Sequence, residues 1–185
     1  LRGGPFVAVA PGARHRTKCW PPERWAERAR RLHGKGLRSV LVGGPEDAAL
    51  GAGIAEAAPG AVNLAGELGV LASAALLARA ACVASGDTGV MHLATAVGTP
   101  VVALFGPTTR HLGFFPYSPR ATILERELSC RPCTTHGGEA CPLGHHRCML
   151  EIGVPEVEAA VRDVARSMAT DEESVTDEKT RTAAR

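Results

Sequence analysis

Short, continuous runs of apolar residues recur along the chain, and most are closed by glycine or proline. Phe6-Val7-Ala8-Val9-Ala10 stops at Pro11-Gly12, and Ser39-Val40-Leu41-Val42 stops at Gly43-Gly44-Pro45. Val62-Asn63-Leu64 is a third run, and Cys82-Val83-Ala84-Ser85 leads into Gly86-Asp87-Thr88-Gly89. Pro100 to Phe105 ends at Gly106-Pro107, and Thr122-Ile123-Leu124 is a sixth candidate strand. Between these runs the pattern changes to a helical one. Pro21-Pro22 suits a first helical turn, and Trp25, Ala29 and Leu32 follow on one face until Gly34 and Gly36. Further helices are predicted from Glu46 to about Ala58, Leu71 to about Ala80, Val90 to Val97, and Pro155 to Met168. Buried strands alternating with helices predict an α/β domain over residues 5–168, a parallel sheet with helices on both faces. Residues 169–185 mix Asp, Glu, Thr, Lys and Arg with almost nothing apolar and are predicted to be a flexible tail.

Composition narrows the function classes. The 185 residues are 45% apolar and 22% charged, an ordinary globular balance. A net charge of +2 gives no electrostatic case for nucleic acid as the main partner, and 4% aromatics argues against a stacking platform for single strands. No apolar run approaches the roughly 20 residues that a bilayer span needs. The chain opens at Leu1 and runs at once into the first strand, with no signal-peptide pattern, so it reads as part of a longer protein.

In an open parallel sheet, ligands bind beyond the carboxyl ends of the strands. The loops predicted there are Pro11 to Lys18, Gly43 to Glu46, Gly66-Glu67, Gly86 to Gly89, and Gly106 to Thr109. Glycine in such loops permits close backbone approach to a ligand, although it also simply ends strands. Gly86-Asp87-Thr88-Gly89 is the sharpest of them, because it joins a buried strand to a helix start, where free N–H groups and the helix dipole favour a phosphate. Thr88 adds a hydroxyl and Gly89 leaves space. Asp87 would repel a phosphate, so it either meets a ribose or sugar hydroxyl or caps the helix. His92 lies one turn further on the same face. Arg14, His15, Arg16 and Lys18 form a basic loop suited to a diphosphate, or else a solvated turn. Trp20 and Trp25 read as packing residues that anchor it. Dinucleotide-binding and P-loop glycine patterns are missing, and so is a serine nucleophile elbow.

Four of the six cysteines, Cys130, Cys133, Cys141 and Cys148, lie in one stretch with His136, His145 and His146. Cys130 and Cys133 have the spacing of a zinc knuckle, whereas Cys141 and Cys148 are further apart than such knuckles usually are. A reducing compartment disfavours disulfides. The expectation is a braced loop without metal. Cys19 and Cys82 read as isolated buried thiols.

Several segments together resemble the C-terminal half of glycosyltransferase family 9, the ADP-heptose:lipopolysaccharide heptosyltransferases. They are Pro11-Gly12-Ala13, Lys18-Cys19-Trp20-Pro21, Val42-Gly43-Gly44-Pro45, Asp87-Thr88-Gly89-Val90-Met91-His92-Leu93-Ala94, Gly98-Thr99-Pro100 and Leu104-Phe105-Gly106-Pro107-Thr108. The cysteine-rich stretch from Cys130 to Met149 is similar to the heptosyltransferase II branch. The resemblance implies a Rossmann-like donor-binding domain, one half of a two-domain GT-B enzyme whose acceptor domain is not in this chain. It implies an ADP-sugar donor, a lipopolysaccharide-type acceptor, inverting transfer, no cofactor, and a cytoplasmic enzyme at the inner membrane face. It assigns the nucleotide sugar to Lys18, Asp87, Thr88, Gly89 and His92, and the glycine loop after the second strand adds Gly43 and Gly44 to the expected binding residues. Lys18 would stabilise the leaving group, and the catalytic Asp base would belong to the other domain. A nucleotide-sugar epimerase of the same architecture and a non-catalytic nucleotide-binding or zinc-knuckle module are the competing readings. An epimerase would need acid/base residues beyond His92.

Overall fold

The computed structural model describes residues 4–167. Met168 and the 169–185 tail lie outside the described residues. Six strands form one parallel sheet in the order β3-β2-β1-β4-β5-β6. They are β1 (Phe6–Ala10), β2 (Arg38–Leu41), β3 (Val62–Asn63), β4 (Cys82–Gly86), β5 (Val101–Phe105) and β6 (Ala121–Glu125). The helices are α1 (Pro22–His33), α2 (Ala48–Ala57), α3 (Val70–Leu77), α4 (Gly89–Ala96), α5 (Arg147–Leu150) and α6 (154–167). This is the parallel α/β sheet covered on both faces that the apolar pattern predicted, in the Rossmann-like form that the resemblance implied.

The unbroken apolar strands follow from burial on both faces. Every residue of β1, β4 and β5 is buried, and successive side chains enter opposite cores. Val7 and Val9 join Trp25, Leu32, Ile54, Val157 and Val161 from α1, α2 and α6. Phe6, Ala8 and Ala10 join Leu77, Met91 and Ala94 from α3 and α4. Trp20 and Trp25 pack edge to face with ring centroids 4.8 Å apart. The indole N–H of Trp20 donates to the Ile152 carbonyl at 3.0 Å, fixing the end of the β1 loop against the last helix layer.

The boundaries shift at several points. The segment expected to be helical from Glu46 begins as a 3-10 turn, Pro45–Asp47, because Pro45 and the Asp47 contact to the Gly44 N–H shape the entry. Helix α5 sits within the cysteine-rich stretch, where the sequence pattern gave no sign of it. Cys82 is fully buried as expected, but Cys19 is only half-buried, with its sulfur towards the carbonyls of Ala13 and His15.

The chain winds outward from β1 through β2 to β3, then returns to the far side of β1 for β4, β5 and β6. Strand direction is constant while winding direction reverses between β1 and β4. The connections after these two strands therefore diverge and leave a crevice. The two connections are Pro11 to Lys18 and Gly86 to Gly89.

Candidate functional site

A cleft of about 1340 Å³ opens at this switch point. It is above the roughly 300–1,000 Å³ usual for a small-molecule pocket, room enough for a nucleotide sugar. Lys18, Gly43, Gly44, Asp87, Thr88, Gly89 and His92, all singled out from the sequence, line it. Arg14 and His15 also line it, whereas exposed Arg16 does not. Two of the five glycine loops, Gly66-Glu67 and Gly106 to Thr109, stay out of the wall. Thr108 reaches it indirectly, through Asp87.

At the centre is a buried ion pair. Lys18 Nζ lies 2.6 Å from Asp87 Oδ2, with the two side chains 11% and 5% exposed. The Thr108 hydroxyl donates to the same oxygen at 2.9 Å. The Phe114 ring lies under the ammonium, its centroid 5.2 Å away. The sequence offers Lys18 and Asp87 separately, one as a basic-loop partner for a diphosphate and the other as a cap or sugar ligand. They are partners 69 positions apart, held by the ends of the neighbouring strands β1 and β4 at the switch point. Glycine at position 86 makes the approach possible, since a Cβ there would stand 2.8 Å from the Lys18 carbonyl. An ammonium carries three donors, so Lys18 retains hydrogen-bonding capacity towards the cleft while bound to Asp87.

The helix start differs from the alternative in which Asp87 is the cap. Thr88 is the N-cap of α4, with φ −141° and ψ 165°, and its Oγ1 accepts from the Met91 N–H at 3.4 Å. Ser85 Oγ donates to the Gly86 carbonyl at 2.9 Å and lies 2.9 Å from Thr88 Oγ1. With the Ser85 proton committed to that carbonyl, the Thr88 proton points back at Ser85. The donors left facing the cleft are the main-chain amides of the first turn, at Gly89 and Val90. His92 is half-buried one turn along, in the same wall.

The opposite wall contains a carboxylate that the sequence reading passed over. Asp47 Oδ2 accepts from the Gly44 N–H at 3.1 Å. Its side chain fills the space over two glycines: a Cβ on Gly12 would fall 1.8 Å from Oδ1, and one on Gly43 would fall 2.4 Å from Oδ2. Burial, with some repulsion from Glu46, raises the Asp47 carboxyl above the ordinary range, against the Gly44 N–H that lowers it. An acidic residue beyond the second strand was a readable signal, because that position meets ribose hydroxyls in this architecture. Phe114 and His136, 5.6 Å apart between ring centroids, complete the mouth and were also missed.

All six cysteines are free thiols. Among the described residues, no group of three or more His, Cys, Asp or Glu side chains is arranged to hold a metal ion. Cys141 is nevertheless distinctive. Partial burial works against ionisation, but the backbone N–H groups of His146, Leu143, His145 and Gly144 favour the thiolate and hold the thiol below its ordinary range. Burial pushes Cys148 up to about 11 and Cys82 up to about 12. Among the described residues, no helix is long and apolar enough to cross a membrane.

A doubly wound parallel sheet with a helix N-terminus and a cation at its switch point defines a Rossmann-like α/β domain. The sequence profile of glycosyltransferase family 9 (heptosyltransferase) matches residues 2–142, and the chain belongs to that family. It is 35% identical over 163 residues to lipooligosaccharide heptosyltransferase 2 of Haemophilus influenzae, covering 83% of this chain and 45% of that protein. It is 34% identical over 154 residues to lipopolysaccharide heptosyltransferase 2 of Escherichia coli K12, covering 80% of this chain and 43% of that protein. The solved structure of the E. coli ADP-heptose LPS heptosyltransferase II superposes with a TM-score of 0.75 at 26% identity. That match covers 90% of this chain and 48% of the other. The chain thus spans less than half the length of these relatives.

Proposed function

We propose that the chain is the donor-binding half of a GT-B heptosyltransferase, taking an ADP-heptose-type nucleotide sugar for transfer to the lipopolysaccharide inner core. The observation that carries the reading is the convergence of Lys18 and the first turn of α4 on one cleft at the switch point of the sheet. Family membership and the heptosyltransferase II relatives supply the substrate class. The diphosphate lies against the Gly89 and Val90 amides, within reach of the Lys18 ammonium. Gly43 and Gly44 contribute main chain to the cleft wall at the end of β2, where the Asp47 carboxylate seated over Gly43 accepts from ribose hydroxyls. His92 contributes to the wall beside the phosphates.

Transfer is inverting in this reading. An acceptor hydroxyl, deprotonated by an Asp of the acceptor domain, attacks the anomeric carbon while the bond to the diphosphate oxygen breaks. Charge builds on the departing ADP, and the α4 amides and Lys18 are already oriented to meet it, so little reorganisation is needed at the moment of reaction. Asp87 fixes where the Lys18 charge sits instead of binding the sugar itself. The enzyme would work in the cytoplasm, at the inner face of the inner membrane where its acceptor is built. Family membership and the heptosyltransferase relatives favour transfer over an epimerase of the same architecture.

Calorimetric titration of the chain with ADP, AMP and adenosine tests the reading. ADP should bind at least about 10-fold more tightly than adenosine, a difference of 1.4 kcal/mol from charge-assisted contacts to the diphosphate. Equal affinities for ADP and adenosine would remove the diphosphate site.

A further inference from the structure

The stretch from Cys130 to Cys148 plays no part in the chemistry above, yet it is fastened to two strand ends at once. At the β1 loop, the Thr17 N–H donates to the Gly138 carbonyl at 3.0 Å, and the Thr17 hydroxyl donates to the same carbonyl at 2.9 Å. The Gly138 N–H lies 2.8 Å from the Thr17 hydroxyl oxygen, and His146 Nε2 lies 2.9 Å from the Thr17 carbonyl. These contacts hold the residue just before Lys18.

At the β5 loop the fastening is Arg131. Its side chain is 5% exposed, and its guanidinium is inserted among main-chain carbonyls. Nε donates to Gly106, Nη1 to Arg126, and Nη2 to the Thr108 carbonyl at 2.8 Å and to Glu125 Oε2 at 2.9 Å. Four of the five donors of a rigid, planar fork are used, which no lysine could reproduce. The adjacent Cys133 N–H donates to the Pro107 carbonyl at 3.3 Å. The main chain of Gly106-Pro107-Thr108 is therefore clamped on both sides. Thr108 in turn directs its hydroxyl at the Asp87 oxygen that holds Lys18.

We propose that Arg131 is a positioning residue for the cleft: by clamping the Gly106–Thr108 main chain it aims the Thr108 hydroxyl at Asp87, and so sets the Lys18 ammonium that faces a nucleoside diphosphate. The cysteine-rich stretch is the frame for this relay. The inference rests on the reading of Lys18 as a diphosphate ligand, but the relay itself is a property of the free chain. A purely local role, neutralising Glu125, would leave Lys18 unaffected.

The test uses the full chain with ADP as the probe and two readouts. One is the ADP dissociation constant. The other is the side-chain ammonium resonance of Lys18, identified by its loss in Lys18→Arg; a buried ion pair slows exchange of its protons with water. Arg131→Gln and Thr108→Val should each abolish that resonance and weaken ADP binding by about 5- to 10-fold, the net scale of one ordinary hydrogen bond. The double variant should be no weaker than either single one, because both act through the same hydroxyl. Thr108→Ser should restore both readouts. The proposal is overturned if Arg131→Gln keeps the Lys18 resonance and the parent affinity, or if the two losses multiply. Should Arg131→Gln not fold, Thr108→Val against Thr108→Ser decides alone, with identical resonances and affinities refuting the relay. Failure of the parent chain to bind ADP refutes the proposed function instead, and the Lys18 resonance still tests the relay.

Discussion

Removing the Lys18 charge should destabilise the chain, and then removing the Asp87 charge should return part of the loss. At 2.6 Å the gross attraction between the two charges is about 6 kcal/mol at an effective dielectric near 20. Desolvating both ions costs several kcal/mol each, so the pair as a whole is close to neutral for folding. Breaking it from one side is different. Lys18→Met leaves the Asp87 carboxylate 5% exposed with Thr108 as its remaining hydrogen-bond donor. An orphaned buried charge costs about 3–5 kcal/mol, and the pair borders the cleft, so the lower end applies. For a domain of this size, about 3 kcal/mol corresponds to a fall in Tm of about 6–12 °C. Asp87→Asn added to Lys18→Met removes the orphaned charge and still accepts from Thr108. The double variant should therefore melt above the single one by about 3–6 °C, a recovery of about 1.5 kcal/mol. Differential scanning calorimetry of the three chains reads this directly. A Tm for Lys18→Met within a degree of the parent, or a double variant less stable than Lys18→Met, would refute the buried-pair account.

Three further outcomes follow from individual contacts. Gly12→Ala places a methyl where Asp47 Oδ1 now lies, expelling the carboxylate from its Gly44 N–H; ADP affinity should fall by about 5-fold or more in calorimetry, and an unchanged affinity would remove Asp47 from the site. Pulsed alkylation near neutral pH, read by peptide mass spectrometry, should label Cys141 at least about 100-fold faster than Cys148 or Cys82, because the thiolate is the reactive form; faster labelling of Cys82 would contradict its burial. Glu158, which accepts from Lys35 and lies near Arg31, has its carboxyl held below the ordinary range. Its folded value lies under its unfolded one, so its contribution is complete above about pH 4.3 and disappears as pH falls through the folded value. Glu158→Gln should then cost about 1 kcal/mol at pH 7, discounted for the half-exposed Lys35, and progressively less in chemical denaturation as the pH falls through the folded value.

The sequence revealed what depends on neighbouring residues and little of what depends on distant ones. The β1, β4 and β5 runs were legible because burial on both faces demands unbroken apolar sequence. The Gly86-Asp87-Thr88-Gly89 turn was legible because strand, glycine and helix follow one another directly. The pairing of Lys18 with Asp87 has no local signature: it exists because β1 and β4, far apart in sequence, are adjacent in the sheet. The same holds for Thr108, whose loop looked like a fifth wall of the cleft but acts from behind Asp87. The helix-cap alternative for Asp87 fails for that reason, since Thr88 is the N-cap and the Asp87 carboxylate pairs with Lys18. Asp47 could have been read, as an acidic residue just past the glycines that end β2. Helix α5 could not, because its four residues are too few to carry a periodicity.

The most direct test of the donor site is a two-dimensional amide NMR titration of the chain with ADP, with adenosine as the control. If the diphosphate docks on the first turn of α4, the Gly89 and Val90 amides should shift most, together with the Lys18 region, and adenosine should leave those two amides in place. Large ADP shifts confined to other parts of the sheet edge, or equal shifts of Gly89 and Val90 with adenosine, would contradict it.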